Sequence, residues 1–234
     1  MGQKKLIRFE AIKDFKNVFE YPQDKKGEWA TYFKNDHPIT LELACGKGEY
    51  TIGLAQLYPE RNFIGVDLKG NRIWKGASIA LSKGLENVAF LRTQIDKIQD
   101  YFDQEKDGVD EIWITFPDPQ LRNGKMRKRL THPKFLRMYQ QIMKPNATIH
   151  LKTDSPVLYN FTKAVIDLYQ LECLTADDHV FSGKAIKPEL EIKTHYESLD
   201  IAGSNRIHYL HFRINKALPL ELDEKLKAMF AVKE

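Results

Sequence analysis

Four carboxylates and one amide stand where apolar runs stop in this chain. Glu42 sits inside ITLELACGKG, and Asp67 ends NFIGVD. Gln94 follows VAFLR by two residues, Asp118 follows DEIWITFP, and Asp154 follows TIHLKT. Any one of them has an ordinary reading as a turn or helix-capping residue. A series at the ends of successive apolar segments instead gathers polar acceptors along one edge of a sheet. Asp67 lies about twenty residues beyond a glycine turn, where a carboxylate can accept from both hydroxyls of an adenosine ribose. The same placement serves NAD, so Asp67 alone does not name the ligand. The Gln94 amide can donate to or accept from an adenine edge. Asp96 competes with it and otherwise reads as a first-turn helix acid. Glu42 is placed to orient the turn, or to accept from an ammonium group on a ligand's tail.

The glycine turn narrows the choice. A phosphate loop needs Ser or Thr after its lysine, and Lys47 is followed by Gly48. A dinucleotide fingerprint built on Gly46 and Gly48 wants a third glycine where Thr51 stands. What remains, Glu42 followed by Ala44-x-Gly46-x-Gly48, resembles the first motif of Rossmann-like S-adenosylmethionine-dependent methyltransferases. Alanine replaces the usual first glycine and fits if its φ stays negative.

Strands and helices alternate around these residues. Ile39 onward reads as a buried strand feeding the turn and an amphipathic helix (Ile52, Leu54, Leu57). Further strands are predicted at 62–67, 88–91, 110–116, 148–153, 171–176 and 206–214. Gly84 is placed to cap a helix C-terminus, Thr131 to cap an N-terminus ahead of Pro133, and Pro219 to start a terminal helix. The pattern implies α/β architecture: an open, mostly parallel sheet of about seven strands, helices on both faces, the last strand antiparallel. Residues 1–38 read as a basic, aromatic arm and 39–234 as a single domain.

Composition sets limits. The chain has 234 residues, 29% of them charged and 42% hydrophobic, and a net charge of +4. This is the balance expected of a soluble, cytoplasmic protein, with no run long enough for a membrane span and no apolar leader in MGQKKLIRF. Cys45 and Cys173 form no CxxC pair, so no disulfide framework and no metal site is expected. Cys45 reads as a packed residue. His208 and His211 fall on opposite faces of a strand and make no metal pair.

The most specific stretch is Thr115-FPDPQLRNGKMRKRLTHPKFL-Arg137. Its Asp118-Pro119 is followed by Arg122, Lys125, Arg127, Lys128 and Arg129, a cluster suited to a phosphate backbone. Together with Glu42–Gly48, and with His150-Leu-Lys152-Thr153-Asp154 and Thr194-His-Tyr196-Glu197, it resembles the bacterial tRNA (guanine-N7-)-methyltransferases. The likeness spans about 17–214. The resemblance implies a Rossmann-like class I methyltransferase with S-adenosyl-L-methionine as cofactor and tRNA as partner. It carries cofactor roles onto Glu42, Gly46, Gly48, Asp67, Gln94 and Asp118, with Asp118 also catalytic. It carries substrate roles onto Arg122, Asp154, Thr194, Tyr196 and Glu197. The basic run Lys125, Arg127, Lys128 and Arg129 is expected on the RNA backbone. The sequence departs from the family at Gln120-Leu121-Arg122, where Trp-Pro-Lys is usual, at Gln94, where an acid is common, and at Asp67, often glutamate. A monomer or homodimer is expected, without metal or membrane. Read without the resemblance, a methyltransferase for another RNA or a non-catalytic RNA-binding protein stays open.

Overall fold

The computed structural model describes residues 2–182, 185–195, 197 and 206–231. At its centre, β2 (Ile39–Leu43) and β3 (Asn62–Asp67) are buried at every position. That is why both read as continuous rather than alternating apolar runs. Around them lie β1 (Val18–Glu20), β4 (Val88–Arg92), β5 (Val109–Thr115), β6 (Met143–Thr153), β7 (Glu172–Asp177) and β8 (His208–Arg213). The order across the sheet is β1-β4-β3-β2-β5-β6-β8-β7. Pairing is parallel from β1 to β6, and β8 runs antiparallel to both of its neighbours. The eighth strand is β1, which the sequence pattern did not separate from the arm. It is three residues long, half-buried and at the sheet edge.

Helices α3 (Glu49–Leu57), α4 (Gly70–Ser82), α5 (Pro133–Gln140) and α6 (Pro156–Leu168) follow β2, β3, β5 and β6, while β4 is followed by the 3₁₀ turn Ile95–Asp100. At the end of α4, Gly84 adopts φ +65° while its N–H bonds the Leu81 carbonyl and Leu85 N–H reaches Ala80. This is the expected glycine stop. The expected Thr131 cap is corrected: His132 caps α5, its Nδ1 accepting from Lys134 N–H at 3.0 Å. The Thr131 hydroxyl is drawn instead to Thr162 of α6, 2.7 Å away in the interior. The terminal helix α8 spans Leu222–Met229 and starts three residues beyond Pro219.

Residues 1–38 supply the edge strand β1 and α2 (Trp29–Phe33), whose fully buried Trp29 stacks on Phe102 at 5.5 Å. Helix α1 (Gly2–Ala11) lies against α4, with Arg8 over the Trp74 ring. Within the sheet the chain passes β2, β3, β4 in one direction and then β5, β6 in the other. The crevice therefore opens where β2 and β5 diverge, beyond their C-terminal ends.

Candidate active site

A cleft of about 830 Å³ lies at that divergence. Asp67, Gln94, Asp96, Asp118 and Asp154 all line it, so the acidic ends of β3 to β6 meet at one site. Apolar walls come from Leu68, Ile95, Pro117, Leu121, Phe135 and Val157. A mainly apolar cavity with a few convergent polar groups is the usual form of a small-molecule site.

The turn above β2 is shaped by positive φ angles at Ala44 (+58°), Gly46 (+57°) and Gly48 (+71°). The expectation of negative φ at Ala44 is corrected, since the first turn residue takes the left-handed conformation without being glycine. Only glycine fits at Gly48, where a Cβ would approach the Phe90 ring to 2.6 Å. Asp67 locks this turn from β3. One carboxylate oxygen accepts from Gly46 N–H at 2.9 Å and the other from Lys69 N–H at 2.7 Å. Each oxygen keeps a further lone pair for a ligand hydroxyl.

Glu42 sits behind the turn and does not line the cleft. It is buried, and its two oxygens accept from Thr51 N–H (2.7 Å), Thr51 Oγ1 (2.5 Å) and Thr115 Oγ1 (2.7 Å). Burial pushes its carboxyl up to about 7, against the pull of these three bonds. It orients the turn, one of the two roles open to it from sequence. Cys45 is buried beside it and burial raises its thiol pKa, in keeping with a packing residue.

Asp118 is exposed at the cleft, where its Oδ1 accepts from Gln120 N–H at 2.9 Å. Non-glycine residues with positive φ stand on both sides of it, Phe116 (+46°) and Gln120 (+48°). Backbone held in such regions persists only where the surroundings over-determine it. Here the surroundings include Arg129, whose Nε and Nη2 donate to the Pro119 and Gln120 carbonyls at 3.1 Å each while its guanidinium stacks over Phe161. The expected place of Arg129 on the RNA backbone is therefore corrected. It is 0% exposed and holds the Asp118 loop from inside. Arg122, Lys125, Arg127 and Lys128 are exposed.

Asp154 lies half-buried at the cleft. Thr194 and Glu197 do not line the cleft. The Thr194 hydroxyl accepts from Glu197 N–H at 3.1 Å, and the Glu197 carboxylate pairs with Lys152 Nζ at 2.9 Å. Tyr196 lies outside the described residues. Lys152, inside a quoted motif but given no role from sequence, is wholly buried under this segment. The available signal was a lysine in the apolar end of a central strand.

A family model described as "Putative methyltransferase" matches residues 36–209. The tRNA (guanine-N(7)-)-methyltransferase of Bacteroides thetaiotaomicron is 43% identical over 92% of this chain and 87% of its own length. The enzyme of that name from Christiangramia forsetii is 42% identical over 92% of this chain and all of its own. Among solved structures, an antibiotic-related methyltransferase aligns with TM-score 0.60 at 14% identity, covering 85% of this chain and 96% of its own. The 16S rRNA methyltransferase KamB aligns at 0.57 and 16% identity, over 79% and 91%. At such identities the solved structures speak for the fold alone. The near-complete match to the curated relatives speaks for more: the chain belongs to the tRNA (guanine-N(7)-)-methyltransferase family.

Proposed function

We propose that this protein transfers a methyl group from S-adenosyl-L-methionine to N7 of a guanosine in the variable loop of tRNA, leaving 7-methylguanosine. The observation that carries the reading is the convergence of Asp67, Gln94, Asp118 and Asp154 on one cleft, in a chain with such relatives. When bound, S-adenosylmethionine supplies an electrophilic methyl carbon on a positively charged sulfur. The residues present fit such a ligand. Asp67 offers acceptors for a ribose at the cleft floor, and Gln94 or Asp96 meets the adenine edge. Gly46 and Gly48 bring the turn's backbone close to the tail, and Asp118 faces the donor from across the cleft.

Guanine N7 has an in-plane lone pair and no proton, so no general base is required. The protein's contribution is alignment, exclusion of water and stabilisation of charge. Positive charge develops on the purine as the bond forms, and Asp118 is the carboxylate assigned to favour it. Asp154 accepts from the guanine N1–H and amino group, and the family resemblance assigns substrate roles to Thr194, Tyr196 and Glu197 as well. Arg122 offers a bidentate contact to phosphate or base. Lys125, Arg127 and Lys128 track the RNA backbone. The target base is presented out of its stack. Residues 39–234 carry the reaction, while 1–38 close the sheet edge. No described helix is long and apolar enough to cross a membrane. The reading places the protein in the cytoplasm as a monomer or homodimer.

The test is incubation with methyl-labelled cofactor and bulk tRNA, followed by nucleoside analysis. Label in 7-methylguanosine is expected. Label in another nucleoside, or none, overturns the reading.

A further inference from the structure

Lys152 is a buried cation for which the cleft itself gives no account. It is the penultimate residue of β6 and 0% exposed. Its Nζ donates to the carbonyls of Leu190 and Ile192 and to the Glu197 carboxylate, each at 2.9 Å. An ammonium has three N–H donors, and all three are used. The rings of Tyr50, Phe116 and Phe181 surround it at 5.5 to 5.9 Å. Burying an ammonium is expensive, and an apolar side chain of similar volume is often as stable or more so. General stability therefore does not explain a lysine at this point. What the ammonium adds is directional: it fixes two carbonyls and one carboxylate of a single segment relative to the sheet.

That segment is α7 (Pro188–Glu191) with residues 192–195 and Glu197. It is fastened from the donor side as well. Tyr50, next to the glycine turn, donates its hydroxyl to the Glu189 carbonyl, and Tyr58 donates to the Glu189 carboxylate at 3.0 Å. Gly53 of α3 lies so close to Ile192 that a Cβ there would come within 2.8 Å. The backbone of Lys152 works on the opposite flank. Its carbonyl accepts from Phe116 N–H at 2.8 Å, at the base of the Asp118 loop, and Asp154 follows two residues on. One residue thus touches the segment bearing Thr194 and Glu197, the root of the Asp118 loop and the strand end bearing Asp154.

We propose that Lys152 is a positioning residue for methyl transfer: it holds α7, residues 192–195 and Glu197, through Glu197 and two carbonyls, in register with Asp118 and Asp154, so that the guanine is presented to the donor. This rests on the substrate-side reading given under Proposed function. The cofactor wall of Asp67, Gln94 and the glycine turn does not depend on it.

The test uses the full chain with Lys152→Met, which keeps length and removes the charge. The expected result is a folded protein that binds S-adenosylmethionine within twofold of wild type by isothermal titration. Its kcat on tRNA falls at least tenfold, and its KM for tRNA changes less than threefold. Amide exchange over 190–195 accelerates, and Lys152→Arg recovers part of the lost kcat. If Lys152→Met does not fold, Lys152→Gln, which keeps two N–H donors for the carbonyls, is measured instead with the same expectations. A folded variant with kcat within twofold of wild type overturns the assignment. So does a loss of kcat accompanied by an equal loss of cofactor affinity, which would mark a general structural role. If wild type itself makes no 7-methylguanosine, the parent reading has failed, and the amide-exchange result still reports whether Lys152 holds the segment.

Discussion

Two cations one residue apart have opposite fates. Lys128 faces water, while Arg129 is buried and bonded to the backbone of Pro119 and Gln120. Removing the Arg129 guanidinium leaves two carbonyls without partners, at about 1–3 kcal/mol for each buried group. Arg129→Met is therefore expected to lose roughly 2–6 kcal/mol of stability by urea denaturation and to lower turnover by loosening Asp118. The salt dependence of tRNA binding should stay as in wild type. A reduced salt slope would return Arg129 to the phosphate backbone. Ala44 allows a second measurement. Its left-handed conformation costs an L-residue roughly 1–2 kcal/mol, and glycine there would pay about 0.5–1 kcal/mol in backbone entropy. Ala44→Gly should thus leave the urea midpoint unchanged or raise it by up to about 1 kcal/mol equivalent, and a clear loss would contradict the strain argument.

The 3₁₀ turn Asn123–Lys128 sets which basic side chains can meet RNA. Met126 within the turn and Arg129, the extended residue that ends it, are both buried. Lys125, Arg127 and Lys128 are exposed. Replacing those three with alanine is expected to weaken tRNA binding at low salt. The log-log salt slope should shrink by up to about three units, one per lost phosphate contact. Unchanged slopes would make the turn a merely solvated face. The same turn shows where sequence reading ran short. Strands β2 to β4 were legible because burial on both faces forces unbroken apolar runs. The first half of β6, residues 143–147, was missed because polar, partly exposed residues break its pattern. The fate of Arg129 was not legible, because KMRKR looks alike whether the turn is α, 3₁₀ or extended. Strand β1 escaped because three half-buried edge residues carry too little pattern. The Thr131 cap failed because a hydroxyl also serves as a bridge between helices, and only tertiary packing decides which. Glu42 read equally well as a ligand contact or a support. In the fold it accepts from three internal donors, 9 and 73 residues along the chain, and lies behind the turn.

Those donors make Glu42 a lock across the whole sheet. Thr51 comes from α3 and Thr115 from the end of β5, so one carboxylate of β2 ties together the two sides of the crevice. The lock depends on pH, and its direction follows from linkage. The folded carboxyl is raised from an ordinary 4.5 to about 7, chiefly by burial, so the native state holds a proton that the unfolded chain releases. The stabilisation is fully present below pH 4.5, declines from there and is lost as pH rises through 7. Glu111 runs the other way. Burial alone would raise its carboxyl, but the His150 hydrogen bond at 2.7 Å and Arg61 at 2.6 Å outweigh this and hold it down to about 2. Burial between the Trp113 and His211 rings pushes the His150 pKa down, while its bond to Glu111 pulls it up. The Glu111 contribution is intact above about pH 4.5 and lost only toward pH 2. Between pH 5 and 8 the Glu42 signal therefore stands apart from that of Glu111. Glu42→Gln keeps an acceptor for Thr51 and gains a donor for Thr115, but it cannot titrate. The unfolding free energy of wild type minus that of Glu42→Gln should decline as pH rises across this range. The total change is on the order of 3 kcal/mol, spread over the interval between the unfolded and folded pKa. Urea denaturation of both proteins at half-unit pH steps measures it. A difference that stays flat would mean that Glu42 is ionised throughout and that the crevice is held by a buried anion.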